Sequence, residues 1–275
     1  MKKIIQISDL HLTSEGQPDA YNQKTSPYTK LELIFNDIAL KYPDVEFIAI
    51  TGDLVHEGVA ADYKVLNDII NTQKAKLGID IHVILGNHDR TAAFFKGYLK
   101  QAAKDEYYYV INDGTTKYFF LDTKYDDKEQ GSLSTEQLTW LADEVNADVN
   151  IPKILFTHHP IYGLSIIHRN DSLISNSARL YEIIANKNVL GILSGHLHFT
   201  STNYYNHILS VTADSSAYHI DLTNPRYASF TDAVSYNVIS FDEQHLGVEN
   251  VYLRYDNEIR LQYDFVANTF TTPTV

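Results

Sequence analysis

The stretch Ile4-Ile5-Gln6-Ile7-Ser8-Asp9-Leu10-His11 contains the pattern that decides the fold. Its first four residues are mostly apolar, which predicts a short buried strand, and polar residues follow at the C-terminal end of that strand. Ser26-Pro27 then provides a helix N-cap and a first-turn proline, and apolar residues recur at helical spacing up to Pro43. This order of strand, loop and helix predicts an α/β protein.

Four further apolar runs end in the same way, with side chains that can bind a metal ion. The runs are Phe47–Ile50, Ile81–Leu85, Ile154–Phe156 and Leu190–Leu193. The side chains that follow the five runs are Asp9 and His11, Asp53, Asn87 and His88, His158 and His159, and His196 and His198. Because the carboxyl ends of the strands in an α/β sheet lie along one edge, where ligands bind, we expect these clusters to converge.

Each cluster taken alone has an ordinary structural explanation. Gly-Asp and Gly-Asn-His-Asp are common turn sequences, and an isolated Asp-x-His is more often a turn or a cap than a ligand pair. The sequence Gly195-His196-Leu197-His198 is more specific, because two histidines at i and i+2 point the same way on extended backbone. Seven of the twelve histidines lie in or beside these clusters, at positions 11, 56, 88, 158, 159, 196 and 198. Their joint occurrence favours a metal site.

The composition excludes several classes of protein and limits the chemistry of any metal site. The chain has 275 residues and no cysteine, which excludes disulfide frameworks, thiolate zinc sites and iron–sulfur clusters. A metal must therefore bind to oxygen and imidazole ligands, which suit manganese, iron, zinc or cobalt. The net charge of −13, from 22 Lys+Arg and 35 Asp+Glu, disfavours nucleic acid as a partner.

The set of ligands is too large for one metal ion. Two aspartates, one asparagine and four histidines suit two ions that lie about 3.5 to 4 Å apart and share a carboxylate. Such a pair of ions holds a phosphoryl group and generates hydroxide at neutral pH. This ligand set therefore predicts hydrolysis of a phosphoester.

The chain is expected to form a single domain over residues 1–275. It has no low-complexity linker, charge block or repeat of fixed period, and the helical pattern fades beyond about residue 200. We expect a motif-bearing core over about residues 1–245 and a β-rich tail over about residues 246–275. The tail would complete the second sheet or form a homodimer contact.

The sequence also predicts a cytoplasmic location. The apolar run at the N-terminus is far shorter than that of a signal peptide and leads directly into polar residues. No segment approaches the roughly 18 consecutive apolar residues that span a bilayer. We therefore expect no membrane partner.

The order of the motifs resembles the calcineurin-like metallophosphoesterase superfamily. The phrases Ile7–His11, Gly52–Val55 and His158-His159-Pro160 are similar to those of its class III cyclic-nucleotide phosphodiesterase branch, the Icc-like enzymes. The resemblance covers roughly residues 3 to 200. It implies a four-layer α/β/β/α sandwich of two mixed sheets flanked by helices, with a dimetal centre where the strand ends meet.

The resemblance further implies a role for each motif residue. One metal ion would be held by Asp9, His11, Asp53 and His198. The other would be held by Asp53, Asn87, His158 and His196, so that Asp53 bridges the pair. His88 would contact the phosphate and protonate the leaving oxygen or stabilise its charge, while a metal-bound hydroxide attacks phosphorus in line.

Five other residues are candidates for supporting or substrate-binding roles. His56 stands where many relatives carry an aspartate that supports the catalytic histidine. Asp89 would orient His88 or act as a helix-starting carboxylate, and His159 would lie behind the ligands because the ligand in the family is the first histidine of the pair. His168 and Arg169 lie in the irregular segment 162–177, and Arg169 is a candidate phosphate partner.

The activity that this sequence predicts is a phosphodiesterase with two manganese, iron or zinc ions. Its substrate would be a small-molecule phosphodiester such as a 3',5'-cyclic nucleotide. A phosphomonoesterase on the same centre is the main alternative, since the ligands do not distinguish one ester group from two. A nuclease is disfavoured by the acidic charge, and a non-catalytic scaffold by the complete ligand set.

Overall fold

The first sheet carries three of the five motif-bearing strands. The computed structural model describes residues 1–126, 128–163 and 170–273. The strands of this sheet are β1 (Lys2–Ile7), β2 (Phe47–Thr51), β3 (Asp80–Ile84), β10 (Tyr218–Asp221), β11 (Tyr227–Phe241), β12 (Leu246–Asp264) and β13 (Thr269–Thr271). They lie in the order β13-β12-β11-β1-β2-β3, and β10 pairs with β11. The sheet is mixed, because β1, β2 and β3 are parallel and β11 is antiparallel to β1.

The second sheet carries the other two motif-bearing strands. Its strands are β4 (Tyr109–Asn112), β5 (Lys117–Phe120), β6 (Lys153–Phe156), β7 (Val189–Ser194), β8 (Ser201–Tyr205) and β9 (Ile208–Thr212). They lie in the order β4-β5-β6-β7-β9-β8. The four central strands are parallel, and the two edge strands are antiparallel to their neighbours. Parallel central strands place their carboxyl ends at one edge of the sheet.

Within the described residues, five α-helices flank the two sheets. They are α1 (Pro27–Lys41), α2 (Ala60–Leu77), α3 (Thr91–Phe94), α4 (Thr135–Ala147) and α5 (Ser177–Ile184), and a π-helical turn (Phe95–Leu99) follows α3. The hydroxyl of Ser134 accepts the N–H of Gln137 at 3.0 Å and so caps the start of α4. Ser26 makes no such side-chain bond, and Pro27 alone marks the start of α1.

Apolar packing arranges these elements in four layers. Helices α1 and α2 pack on the outer face of the first sheet, and α4 and α5 pack on the outer face of the second. Between the sheets, Phe47 and Ile84 of the first meet Phe120 and Phe156 of the second. The rings of Phe120 and Phe156 are stacked with centroids 4.7 Å apart. The predicted α/β/β/α sandwich of two mixed sheets is confirmed.

The C-terminal strands complete the first sheet. Strand β12 pairs with β11 from Phe241↔Leu246 to Tyr227↔Asp264, so the expected tail joins the sheet that contains β1 and not the second sheet. No helix in the described parts of the chain is long and apolar enough to cross a membrane. The cytoplasmic location and the homodimer stay predictions.

Candidate metal centre

The carboxyl ends of the five motif-bearing strands meet at one edge of the sandwich. The structure there brings together the seven residues that the sequence predicts as metal ligands, namely Asp9, His11, Asp53, Asn87, His158, His196 and His198. Most of them are fully shielded from solvent, and His11 and His158 are 0% exposed. Buried polar groups require hydrogen-bond or ionic partners.

A first group contains Asp9, His11, Asp53 and His198. Its potential ligand atoms all lie within 4.8 Å of one another. His11 Nε2 lies 3.1 Å from His198 Nε2 and 3.4 Å from Asp53 Oδ2. His198 Nε2 also lies 3.4 Å from Asp9 Oδ1.

A second group shares Asp53 with the first. His158 Nε2 lies 2.9 Å from Asn87 Oδ1 and 3.4 Å from Asp53 Oδ2. His196 Nδ1 lies 3.0 Å from the same Asn87 oxygen. The oxygen Oδ2 of Asp53 is therefore 3.4 Å from a histidine nitrogen of each group, which is the arrangement expected of a bridging carboxylate.

The hydrogen bonds made by these histidines favour cations in both groups. The Nδ1–H groups of His158 and His198 donate to the carbonyl oxygens of Thr51 and Tyr218, each at 2.8 Å. Their Nε2 lone pairs then face other acceptors, so only a cation or a proton between them relieves the repulsion. Atoms about 2.1 Å from a common ion lie roughly 3.0 to 3.4 Å apart, so the observed spacing fits metal binding. The residues present could hold a dimetal centre.

Burial and neighbouring charges shift the pKa values of the candidate ligands. Burial alone would raise the pKa of Asp53, but the charges of His158, His88 and His11 hold it well below its usual range. Burial lowers the pKa of His196 well below its usual value. Burial would also lower the pKa of His158, but the charges of Asp53 and Asp9 outweigh it and raise that pKa to about 10. The carboxylates of Asp53 and Asp9 therefore favour a positive charge at His158.

Five of these seven residues have left-handed backbone. The φ angles are 54° for Asp9, 42° for His11, 49° for Asp53, 73° for His196 and 55° for His198. This conformation costs roughly 1 kcal/mol or more at each non-glycine residue and is found where surrounding contacts enforce it. Backbone hydrogen bonds from Asp9 N to Gly52 O and from His11 N to Asp53 O supply such contacts between the first two motifs.

Glycine allows the strand ends to approach one another. A Cβ atom on Gly195 would overlap the hydroxyl of Ser8 and lie 2.6 Å from Asp9 Oδ2. The same close approach lets the N–H of His196 donate to both oxygens of Asp9 at 3.1 Å. The glycine of the Gly-His-Leu-His motif is thus required by packing between the two sheets.

His88 lies beside the first and second groups and belongs to neither. Its backbone N–H donates to Asp53 Oδ1 at 2.9 Å, which orients the shared carboxylate. Its ring stacks on His56, with centroids 4.8 Å apart, and lines a cavity together with Asn87 and His196. His88 can therefore reach a molecule in that cavity.

His56 and Asp89 have clearly different surroundings. His56 Nδ1 lies 3.0 Å from His11 Nδ1, so His56 contacts both His11 and His88. The carboxylate of Asp89 accepts hydrogen bonds from the N–H groups of Leu54, Val55 and Gly86 and from the hydroxyl of Tyr63. Asp89 therefore joins the loop after β2 to the loop after β3. None of these four bonds involves the ring of His88, which Asp89 is predicted to orient.

The adjacent histidines His158 and His159 have different partners. His158 points Nε2 into the second group, whereas His159 Nδ1 lies 2.8 Å from the hydroxyl of Thr123. The ring of His159 packs 4.5 Å from that of His196, beside the predicted ligands. His168 and Arg169 lie outside the described residues.

Sequence reasoning missed the aromatic residues around the site. The ring of Tyr218 lies 4.1 Å from that of His198, and its hydroxyl lies 3.3 Å from His11 Nε2. Tyr21, Phe230 and Phe270 line the adjoining cavity. These residues belong to no motif and are far apart in the chain, so only the abundance of tyrosine hinted at them.

Comparison with known proteins agrees with this geometry. The family model described as calcineurin-like phosphoesterase matches residues 2–199. The chain belongs to this family. Among its relatives within the calcineurin-like phosphoesterases is the protein of Arcobacter nitrofigilis named "Probable glycerophosphodiester phosphodiesterase GpdQ", which is 29% identical over 80% of this chain and 80% of its own length.

One further relative and one solved structure are also similar to this chain. The cAMP/cGMP dual specificity phosphodiesterase of Mycobacterium tuberculosis is 30% identical over 80% of this chain and 69% of its own length. The solved structure of a dimetal phosphatase from Danio rerio covers 90% of this chain and 98% of its own with a TM-score of 0.62, and at 13% identity it shows the fold alone. The predicted resemblance is confirmed, and the family and the two relatives support a phosphoester hydrolase.

Proposed function

We propose that this protein is a dimetal phosphodiesterase that acts on small phosphodiesters such as 3',5'-cyclic nucleotides. The observation that carries the proposal is the single oxygen of Asp53 that lies 3.4 Å from both His11 Nε2 and His158 Nε2. One carboxylate shared by two nitrogen-rich groups matches the need of a two-ion centre for a bridging ligand. Relatives named as phosphodiesterases support the class of substrate.

The ligands are assigned from the two groups. Asp9, His11, Asp53 and His198 would hold one ion. Asp53, Asn87, His158 and His196 would hold the other. Oxygen and imidazole ligands without sulfur favour manganese, iron or zinc at both positions. When bound, two such ions offset charge on the phosphoryl oxygens and lower the pKa of water enough for attack at neutral pH.

His88 would act on the leaving group. Its ring lies outside both ligand sets but lines the cavity that a phosphoester would enter. A histidine in that position can donate a proton to the departing oxygen or stabilise its charge. Its backbone N–H would at the same time keep Asp53 oriented as the shared ligand.

Hydrolysis of three phosphoesters tests the proposal. The protein is loaded with Mn²⁺ and assayed with bis(p-nitrophenyl) phosphate, p-nitrophenyl phosphate and 3',5'-cyclic AMP. We expect turnover of the two diesters and slower turnover of the monoester. A strong preference for p-nitrophenyl phosphate would establish a phosphomonoesterase instead, and metal binding without turnover of any ester would indicate a scaffold.

A further inference from the structure

A cavity of about 330 Å³ opens directly beside the candidate metal centre. One part of its lining consists of the polar residues Asp53, Asn87, His88, His196 and His198. The rest is largely apolar and includes six aromatic side chains, Tyr21, Tyr218, Phe230, Tyr263, Phe265 and Phe270. A phosphoester whose phosphoryl group lies at the polar end would place its organic group against aromatic rings.

Three of these six aromatic residues come from distant parts of the chain and contact one another. Tyr21 follows the first motif, Phe230 lies on β11, and Phe270 lies on the edge strand β13. The rings of Tyr21 and Phe230 are parallel within 5°, with centroids 4.4 Å apart. The ring of Phe270 lies 5.8 Å from Tyr21 and 6.0 Å from Phe230. We call these three residues the aromatic wall.

The aromatic wall is held in place before any ligand binds. Tyr21 has left-handed backbone, with φ 52° and ψ 37°, so its loop needs external support. Asp232 provides it, because one carboxylate oxygen accepts the N–H groups of Lys24 and Thr25 and the other accepts Lys30 Nζ at 2.8 Å. Asp232 lies two residues from Phe230 on β11, so both side chains are on the same face of the strand.

Such a wall discriminates between organic groups by their shape and polarity. A flat aromatic base can stack on it, and stacking of this kind contributes about 1 to 3 kcal/mol per base. A glycerol group would instead place hydroxyls against apolar rings, where they lose hydrogen bonds to water. Phe270 is 49% exposed while it lines the cavity, so it retains surface available for such a contact.

We infer that the aromatic wall binds a nucleobase or similar flat aromatic group of the phosphoester, and that Phe270 is a specificity-determining residue. This inference rests on the proposed function, since it assumes that the phosphoryl group binds at the metal centre. The names of the two relatives give two substrate classes, cyclic nucleotides and glycerophosphodiesters, and the inference favours cyclic nucleotides for this protein.

Kinetic comparison of two diesters tests the inference with the Mn²⁺-loaded enzyme. The substrates are 3',5'-cyclic AMP and glycerophosphoethanolamine. We expect Phe270→Ala to raise KM for cyclic AMP about tenfold, as loss of one stacking contact implies, with kcat nearly unchanged. KM for glycerophosphoethanolamine should not change. Phe270→Tyr should behave as the wild type because it keeps the ring.

The matched control is Tyr204→Ala. Tyr204 is an aromatic residue of edge strand β8, is 69% exposed and does not line the cavity. It should leave both KM values unchanged. Equal changes in KM for both diesters in Phe270→Ala, or no change in either, would overturn the inference while the diesterase activity itself stands.

A binding measurement separates the inference from catalysis. Calorimetry on the same protein compares adenosine 5'-monophosphate with glycerol 3-phosphate. We expect the nucleotide to bind about tenfold more tightly in the wild type and to lose that advantage in Phe270→Ala. If no phosphoester is hydrolysed but this difference appears, the proposed function fails and the nucleotide site is retained. Equal binding of the two phosphates overturns the inference.

Discussion

The ring and the backbone N–H of His88 have separable roles, and a substitution can distinguish them. Its ring faces the cavity, whereas its backbone N–H orients Asp53. We expect His88→Ala to keep the backbone bond and therefore about two metal ions per chain, and to lower kcat by roughly 10² to 10⁴ because the proton donor is lost. Steady-state kinetics and elemental analysis on the same sample measure both effects.

The control for His88 is an exposed histidine. His207 lies between β8 and β9 and interacts only weakly, at 3.4 Å, with Tyr204. His207→Ala should retain full activity and metal content. Loss of both metals in His88→Ala would show that the ring is a ligand and that the assigned role is wrong.

The four hydrogen bonds that the Asp89 carboxylate accepts are expected to stabilise the loops around the site. Burial and the charge of Asp53 raise the pKa of Asp89 to about 6, so at pH 8 it is an ionised acceptor. Asp89→Asn replaces one acceptor oxygen by a donor and leaves buried N–H groups unpaired. We expect a loss of about 3 kcal/mol in the free energy of unfolding at pH 8, measured with urea on metal-free protein.

The exposed pair on α2 provides the comparison for Asp89. The carboxylate of Asp68 pairs with Lys64 at the surface, at 3.1 Å, and Asp68→Asn should change the unfolding free energy by less than about 0.5 kcal/mol. Equal urea midpoints for the Asp89 and Asp68 variants would mean that the bonds of Asp89 contribute little to stability.

At the scale of elements, helix α1 and strand β11 are joined by a buried ion pair. Lys30 and Asp232 lie 2.8 Å apart, and both side chains are about 1% exposed. Burial lowers the pKa of Lys30, although Asp232 opposes that shift. We expect Asp232→Asn to cost about 3 kcal/mol of unfolding free energy, because it leaves the Lys30 ammonium buried without its counter-charge.

A double variant tests whether the charge or the packing matters. Lys30→Met with Asp232→Asn removes both charges and keeps an acceptor for the loop at residues 24 and 25. It should be more stable than Asp232→Asn alone in the same denaturant titration. If the double variant is the less stable of the two, the cost comes from packing and the ion pair is not the link between α1 and β11.

At the scale of elements, local sequence patterns predicted where strands and helices lie better than they predicted which strands pair. Apolar runs located the strands that precede the motifs, and Pro27 located the start of α1. The strand character of the C-terminal region was also predicted. Its place in the first sheet was not, because the pairing of β12 with β11 depends on which strand edge is open after the sandwich assembles.

At the scale of the whole molecule, metal binding should release protons. His158 has a pKa near 10 without metal, and Asp9 outweighs burial to raise the pKa of His198 as well. Protons on these rings compete with metal below those pKa values. The apparent affinity for Mn²⁺ should therefore rise with pH between 6 and 9, by about tenfold per unit for each proton released.

Calorimetry in buffers of different ionisation enthalpy counts the protons directly. The stability of the metal-free protein should change with pH in the opposite direction, since a histidine whose pKa is raised by folding stabilises that protein most at low pH. That contribution is complete below the ordinary histidine pKa and is lost as the pH rises toward 10. A metal affinity independent of pH would contradict the protonated state of His158.

The sequence by itself determined the identity and order of the candidate ligands. Each motif directly follows its own strand, so Asp9, Asn87 and His198 could be recognised from local pattern and from the rule that parallel strands end at one edge. Only the tertiary structure decided that Asp53 lies between two groups, that Asp89 ties two loops together, and that Phe270 borders the cavity. These contacts join residues far apart in the chain. They depend on how two sheets pack, which hydrophobic periodicity within one segment does not specify.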